Sequence, residues 1–383
     1  MIGFGIKQNN ADQIIPIWQL TTGVFILLLF WVGGCTAAPA VGNGRIAYLN
    51  WDENGRVQLY AFNLTTKTTE QLTAAPADIH SYAVSPDETQ IVYSIPFADG
   101  RSELWQLNLN ERRTASTPTK LFTCENAQCI FPIWAPDSRR LIYERRELVD
   151  GSLGLPSLWW LDVETGETTT VLAEDKPPNQ AAALSPDGSW LSYASPADEG
   201  VLVYNFENGR FFRIPSQLDT RAAWKPDSSQ LVVSDFNVVI LHGGEETDHL
   251  AHEHDAVQSI HLFVTGVADE QRRQLTQGSS VDDSTPVWSP DGQWIAFGRK
   301  LLGTNTGRQL WLVRADGSEE VPLTDELAIH HGVPSWREDG RLLLYQHFDI
   351  TTPDTPPSIW TIDIQTQTQQ QIVPIGFQPV WLH

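Results

Sequence analysis

Pro286-Val287-Trp288-Ser289-Pro290-Asp291-Gly292-Gln293-Trp294-Ile295-Ala296-Phe297 is one copy of a hairpin that recurs along the chain. A short apolar strand ends at Trp, a Pro-Asp-Gly turn follows, and a second apolar strand ends in an aromatic residue. The register can be followed through Val84-Ser85-Pro86-Asp87-Glu88, Trp134-Ala135-Pro136-Asp137-Ser138, Leu184-Ser185-Pro186-Asp187-Gly188, Trp224-Lys225-Pro226-Asp227-Ser228 and Trp336-Arg337-Glu338-Asp339-Gly340. Pro presets φ at the start of such a turn, Asp accepts from backbone amides further on, and Gly or Ser tolerates the conformation that follows. Asp87, Asp137, Asp187, Asp227, Asp291 and Asp339 are therefore read as turn residues, not catalysts.

A period of roughly 45 residues built from strands indicates a ring of β-blades. Third strands such as Gln309-Leu310-Trp311-Leu312-Val313 and fourth strands such as Glu320-Val321-Pro322-Leu323-Thr324 complete each unit. The expectation is an all-β chain forming a single β-propeller of four-stranded antiparallel blades, seven in number, with six as the alternative. The first readable element, Gly44-Arg45-Ile46-Ala47-Tyr48, is a second strand, and Pro379-Val380-Trp381 is a first strand. Pairing the two closes the ring and removes its sheet edges. Most of the 15 Trp fall in the repeat and are read as packing between blades.

The hairpins, with the Leu-Thr endings Leu72-Thr73, Leu275-Thr276 and Leu323-Thr324, resemble the TolB-type propeller repeat, which is related in pattern to Trp-Asp repeats. The resemblance covers residues 44–383. It implies the fold; TolB's own role does not transfer, because TolB carries an α/β domain before its ring and only residues 35–43 separate Cys35 from the first strand here.

Residues 1–34 read as a lipoprotein signal peptide, with Lys7, an apolar run from Val24 to Val32, and Val32-Gly33-Gly34-Cys35 resembling the lipobox of bacterial lipoproteins. Cys35 would carry the lipid, leaving 35–43 as a tether and 44–383 as the propeller. An uncleaved membrane helix from about Ile14 to Gly34 is the alternative. Both place the body outside the cytoplasm, anchored to a membrane in the periplasm or at the surface of a bacterium. The remaining cysteines, Cys124 and Cys129, suit a disulfide in an oxidising compartment. A net charge of −22 argues against nucleic acid as a partner.

Function then falls to the connections. Turns between first and second strands and between third and fourth are tight and share one face. The connections on the other face are long, including Asp235 to Ser259, and a protein, peptide or glycan of the cell envelope is expected to bind there. One insert, Leu241 to Asp255, widens the interval between Leu231 and Ile295 to 64 residues. Its His249, His252 and His254 are candidate ligands for a divalent metal. His330-His331, Asp282-Asp283 and His80 stand before innermost strands and form a second candidate set at the channel mouth. No cofactor is required by any motif. Two functions follow: a non-enzymatic binding or scaffolding module, or a metal-dependent enzyme with a His site at the channel mouth, resembling oligogalacturonate lyase. No Gly-x-Ser-x-Gly elbow supports a serine hydrolase.

Overall fold

The structure is a computed structural model that describes residues 44–110, 115–172, 179–240 and 256–382. Cys35, the leader, and His249, His252 and His254 lie outside the described residues. Residues 40–383 form one compact unit. Among the described residues no helix is long and apolar enough to cross a membrane.

Strand pairing gives six sheets. Sheet one joins Arg45–Trp51, Val57–Asn63 and Thr68–Gln71 to Phe377–Leu382. Sheet two is Ser81–Val84, Gln90–Pro96, Ser102–Asn108 and Thr119–Cys124; sheet three is Ala127–Trp134, Arg140–Val149, Ser157–Asp162 and Thr168–Thr170, with Ser152–Leu153 on its edge. Sheet four is Gln180–Leu184, Trp190–Ser195, Gly200–Asn205 and Phe211–Pro215. Sheet five has eight strands, Ala223–Trp224, Gln230–Ile240, Ala256–Gly266 and Arg272–Gln274 followed by Val281–Trp288, Trp294–Leu301, Gln309–Arg314 and Glu320–Pro322. Sheet six is Ile329–His331 and Ser335–Trp336, Leu342–Asp349, Ser358–Asp363 and Gln369–Val373.

The chain is thus all-β and arranged as a β-propeller, but its sheets number six where seven separate blades were expected. Two of the expected units are joined in sheet five by a parallel bridge between Ile260 and Asp282. The bridge is possible because Val281–Trp288 begins well before its Trp and runs alongside Ala256–Gly266. A second departure concerns Asp235 to Ser259, expected as a long loop. Asp235–Ile240 pairs in register with Ala256–His261, Ile240 facing Ala256. The β-branched run Val238-Val239-Ile240 favours extended backbone, so the hairpin continues outward to the insert.

The ends of the propeller pair as expected, with Arg45 opposite Leu382, Ile46 opposite Trp381 and Ala47 opposite Val380. First strands contact one another in succession around the ring. Trp is the stitch. The indole N–H of Trp134 donates to the Ala83 carbonyl at 3.1 Å, Trp224 to Ala183 at 3.2 Å, and Trp288 to Ala223, Trp336 to Val287 and Trp381 to Ser335 at 3.1 Å each. Each acceptor lies one residue before the corresponding position of the preceding unit. Where Val84 replaces Trp, the Tyr82 hydroxyl donates to the Ala47 and Gln378 carbonyls instead. A buried indole gains a hydrogen bond as well as apolar burial, which is why this position prefers Trp to Leu.

The core lies between sheets. Tyr48, Tyr93, Tyr143, Phe297 and Tyr345, which lie within second strands, are fully buried. Tyr345 packs with Ala296 and Leu310 of sheet five, and Tyr48 with Leu342 and Leu344 of sheet six. The Leu-Thr endings bury a hydroxyl that completes the backbone pairing: Thr73 accepts from the Leu59 N–H, Thr276 from Leu262 and Thr324 from Leu310, at 2.9–3.0 Å. Each turn Asp accepts, through Oδ1, the N–H two residues on, as Asp87 does from Thr89 and Asp291 from Gln293, both at 3.0 Å. Cys124 and Cys129 are disulfide-bonded across the connection from sheet two to sheet three, with both side chains buried.

Candidate functional site

Two regions concentrate polar and solvent-reached side chains where regular strands would not. The first is the inner rim. Four first strands carry a bulge, and in them the residue three before the Trp position takes a left-handed φ: Phe131 at 53°, Ala181 at 54°, Thr285 at 54° and Gln378 at 49°. Such a conformation costs a non-glycine residue on the order of 1 kcal/mol or more and needs support from its surroundings. The preceding sheet supplies it: the Phe131 N–H donates to Ser81 Oγ, the Ala181 N–H to Glu144 Oε1 and the Gln378 N–H to Gln346 Oε1. A bulge re-aims the side chain it carries.

The same position holds Ser81, which is buried, and Arg221 and Val333 in the three units without a left-handed residue. Phe131 is 41 % and Val333 58 % exposed, and Arg221 and Gln378 are exposed too. Beside Val333 and Gln378 lies a recess of about 380 Å³, bounded also by Tyr82, Pro334 and Gln346. Arg221 is reached by solvent yet enclosed by the surrounding chain, which lowers its guanidinium pKa, with Glu144 opposing the shift.

The second region is the seam between sheets five and six. His331 is fully buried and packs against Tyr345 and His347. Its Nδ1 lies 3.0 Å from the Arg308 carbonyl, so Nδ1–H is the donor there, and its Nε2 is buried without a hydrogen-bond partner among the described residues. His347 stacks on Trp360, ring centroids 4.7 Å apart, and its Nε2 lies 3.5 Å from a Glu326 oxygen. Ligating atoms of Glu326, His331 and His347 all fall within 4.8 Å of one another.

The candidate set named from sequence is therefore regrouped. His331 belongs to this cluster, whereas His330 packs on Phe348 and His80 on Phe131 of sheet three, and neither joins it. Asp282 pairs with Arg308 at 2.7 Å, and Asp283, fully buried, pairs with Arg299 through both oxygens at 2.6 and 2.7 Å. Adjacent residues in a strand point to opposite faces, which separates His330 from His331 and Asp282 from Asp283. Sequence reasoning missed Glu326 and His347. The signal for His347 was present: it sits two residues after the aromatic within its second strand, as Arg299 does after Phe297 and Ile95 after Tyr93.

That alignment shows what the fold demands at the seam. Five residues before the Trp position stand Ile79, Asp283 and His331; Asp283 pairs with Arg299 and His331 with His347 in register, and Ile79 shares a core cluster with Ile95, which stands at the position matching Arg299 and His347. All but Arg299 and His347 are essentially buried, and those two are mostly so. The same place accepts an apolar pair, an ion pair or two imidazoles.

Burial, outweighing the hydrogen bond to the Arg308 carbonyl, lowers the His331 pKa from 6.5 to about 4. An imidazole with a lower pKa in the folded chain than in the unfolded one stabilises the fold above pH 6.5. That contribution is lost as pH falls towards 4, because the unfolded chain then binds the extra proton. The expected effect is on the order of 3 kcal/mol across that window. Urea midpoints measured between pH 7 and 4 should fall more steeply for the native chain than for His331→Ile; equal slopes would show that His331 is not the group responsible.

No family model matches the chain. An uncharacterized protein of Agrobacterium fabrum is 28% identical over 110 residues, 29% of this chain and 35% of that protein, so the match spans about a third of the relative's length. Among solved structures, oligogalacturonate lyase from Vibrio parahaemolyticus aligns with a TM-score of 0.55 at 14% identity, covering 87% of each chain. Puromycin hydrolase aligns with a TM-score of 0.61 at 14% identity, covering 88% of this chain and 52% of its own. TolB from Acinetobacter baumannii aligns at 0.47 and 18% identity, covering 74% of this chain and 64% of TolB. The likenesses above 0.5 establish the propeller fold, and TolB-type propellers stand among the structural neighbours.

Proposed function

We propose that the chain is an extracytoplasmic, membrane-anchored binding propeller whose inner rim and surrounding connections hold a protein, peptide or glycan of the cell envelope. In this reading Cys35 carries the anchor, and sheet five counts as two blades, making seven. The observation that carries the reading is the rim itself, where supported bulges turn Phe131 and Gln378 out of the sheet alongside Val333 and Arg221. Exposed apolar side chains flanked by a cation and an amide beside a recess are what a ligand with both apolar and anionic or carbonyl groups requires. A second reading, a metal-dependent enzyme, is favoured by Glu326, His331 and His347 in place of the ligand set first named.

The binding reading is tested with the full chain in detergent. A photo-crosslinking residue at position 333 should capture envelope components, and one at Glu164, on the opposite set of tight turns, should not. Val333→Asp combined with Phe131→Ala should weaken retention at least about tenfold with little change in stability, because both side chains are exposed. Equal capture from both positions, or full retention by the double variant, would refute it.

A further inference from the structure

We propose that Glu326, His331 and His347 form a binding site for a first-row transition-metal dication, with Zn²⁺ the best fit. The inference stands apart from the binding reading above, since it concerns the seam between sheets and not the rim.

The first argument is that the fold does not ask for imidazoles here. The equivalent pair Ile79 and Ile95 fills the same place with apolar side chains, and Ile79 is 2 % and Ile95 0 % exposed. Putting His331 there instead leaves its Nε2 buried without a partner among the described residues, a desolvated lone pair that an apolar side chain would not carry. Thr276 and Arg299 satisfy the neighbouring polar seam, in which Asp283 accepts from Arg299 and stands 3.6 Å from His261. The His331 seam has the polar residues without the corresponding satisfaction.

The second argument is that each side chain is held as a ligand would be. Donation from His331 Nδ1 to the Arg308 carbonyl sets the tautomer and leaves the Nε2 lone pair free. His347 is kept in plane by its stack on Trp360. One Glu326 oxygen accepts from Gln369 Nε2 at 3.0 Å, and Gln369 in turn accepts the Tyr345 hydroxyl at 2.6 Å, leaving the other oxygen facing His347. Ligating histidines and carboxylates carry this kind of outer support.

The third argument is chemical. Two imidazole nitrogens and one carboxylate oxygen suit Zn²⁺ and its neighbours, whereas Ca²⁺ and Mg²⁺ prefer all-oxygen sets. In a tetrahedral site at ~2.1 Å per bond the ligand atoms stand roughly 3.4 Å apart. His347 and Glu326 are at 3.5 Å already, and the remaining separations, at most 4.8 Å, close by side-chain rotation. Glu326 is exposed, so the fourth position opens to water.

The full chain, stripped with chelator, is titrated with Zn²⁺ against a chromophoric competitor, alongside two variants. Glu326→Gln alters an exposed side chain and leaves the core alone. His331→Ile with His347→Ile introduces the apolar pair that Ile79 and Ile95 form in the core beside sheet two, so the buried place stays filled by apolar side chains. One Zn²⁺ per chain is expected for the native protein, weakened about 100-fold or more in both variants while far-UV circular dichroism is unchanged. Mn²⁺ should bind more weakly than Zn²⁺. Absence of Zn²⁺ binding to the native chain would overturn the site. So would unchanged affinity in both variants, above all if binding were lost on replacing His249, His252 and His254, which would place the metal in the insert.

Discussion

Deletion of residues 377–383 should drive the protein into aggregate, the largest effect expected of any change to the ring. Phe377–Leu382 is the first strand of sheet one, and its loss strips the partner from Arg45–Trp51 along the register Arg45 to Leu382 and Leu49 to Phe377. It also removes Trp381, 4 % exposed, from a cluster with Ile46, Tyr48, Leu342 and Leu344, together with the indole bond to the Ser335 carbonyl that joins sheet six to sheet one. Trp381→Ala alone is expected to cost about 3–5 kcal/mol. That is already a large share of the roughly 5–15 kcal/mol by which a domain is stable. The deletion adds an unpaired edge whose sequence, Ile46-Ala47-Tyr48-Leu49, is apolar and therefore prone to pair with another chain. Size-exclusion chromatography and urea unfolding of the two variants beside the native chain measure the effect. A monomeric deletion variant of native stability would mean that closure contributes nothing and that the ring is held by its sheets individually.

Asp283→Ala should be the most damaging polar substitution, by about 3–5 kcal/mol. Arg299 is one-tenth exposed and would keep its charge, having lost two short bonds to Asp283 and retaining Glu320 and the Gln277 carbonyl. Removing Asp283 leaves the buried Arg299 charge only partly compensated, by Glu320, and this penalty, not the worth of the pair itself, sets the magnitude. The double change Asp283→Ile with Arg299→Ile is expected to recover most of the loss, because Ile79 and Ile95 occupy the matching place in sheet two. Urea unfolding distinguishes the outcomes through the midpoint at constant slope. A double variant as unstable as the single one would show that sheet five depends on the ion pair for its register, for instance through His261 and the parallel bridge at Asp282.

How far the chain could be read in advance follows from the range of each interaction. The turn aspartates bond two residues away, and the alternation of second strands is local, so both are written in consecutive residues. Trp at the end of first strands was legible as packing, but its indole bond to the preceding unit was not, since the acceptor is a backbone carbonyl with no side-chain signature. The extension of Asp235–Ile240 was passed over because a polar stretch at its start resembled a loop, although Val238, Val239 and Ile240 favour a strand. Of the histidines named from the sequence as channel-mouth candidates, His331 lies in the Glu326 and His347 cluster, whereas His330 and His80 do not. Glu326 lies in a connection and His347 on another strand, and only the register of Ile329–His331 against Leu342–Asp349 places His331 opposite His347.

The order of residues alone therefore determined the repeating unit, its all-β character and the joining of the two ends, because each depends on periodic burial and on turns whose chemistry spans a few positions. The tertiary structure decided which units merge into one sheet, which rim side chains the bulges turn outward, and which histidine meets which carboxylate. Those outcomes depend on contacts between sheets. At such contacts a one-residue offset moves a side chain to the opposite face, and no local pattern in the chain records that offset.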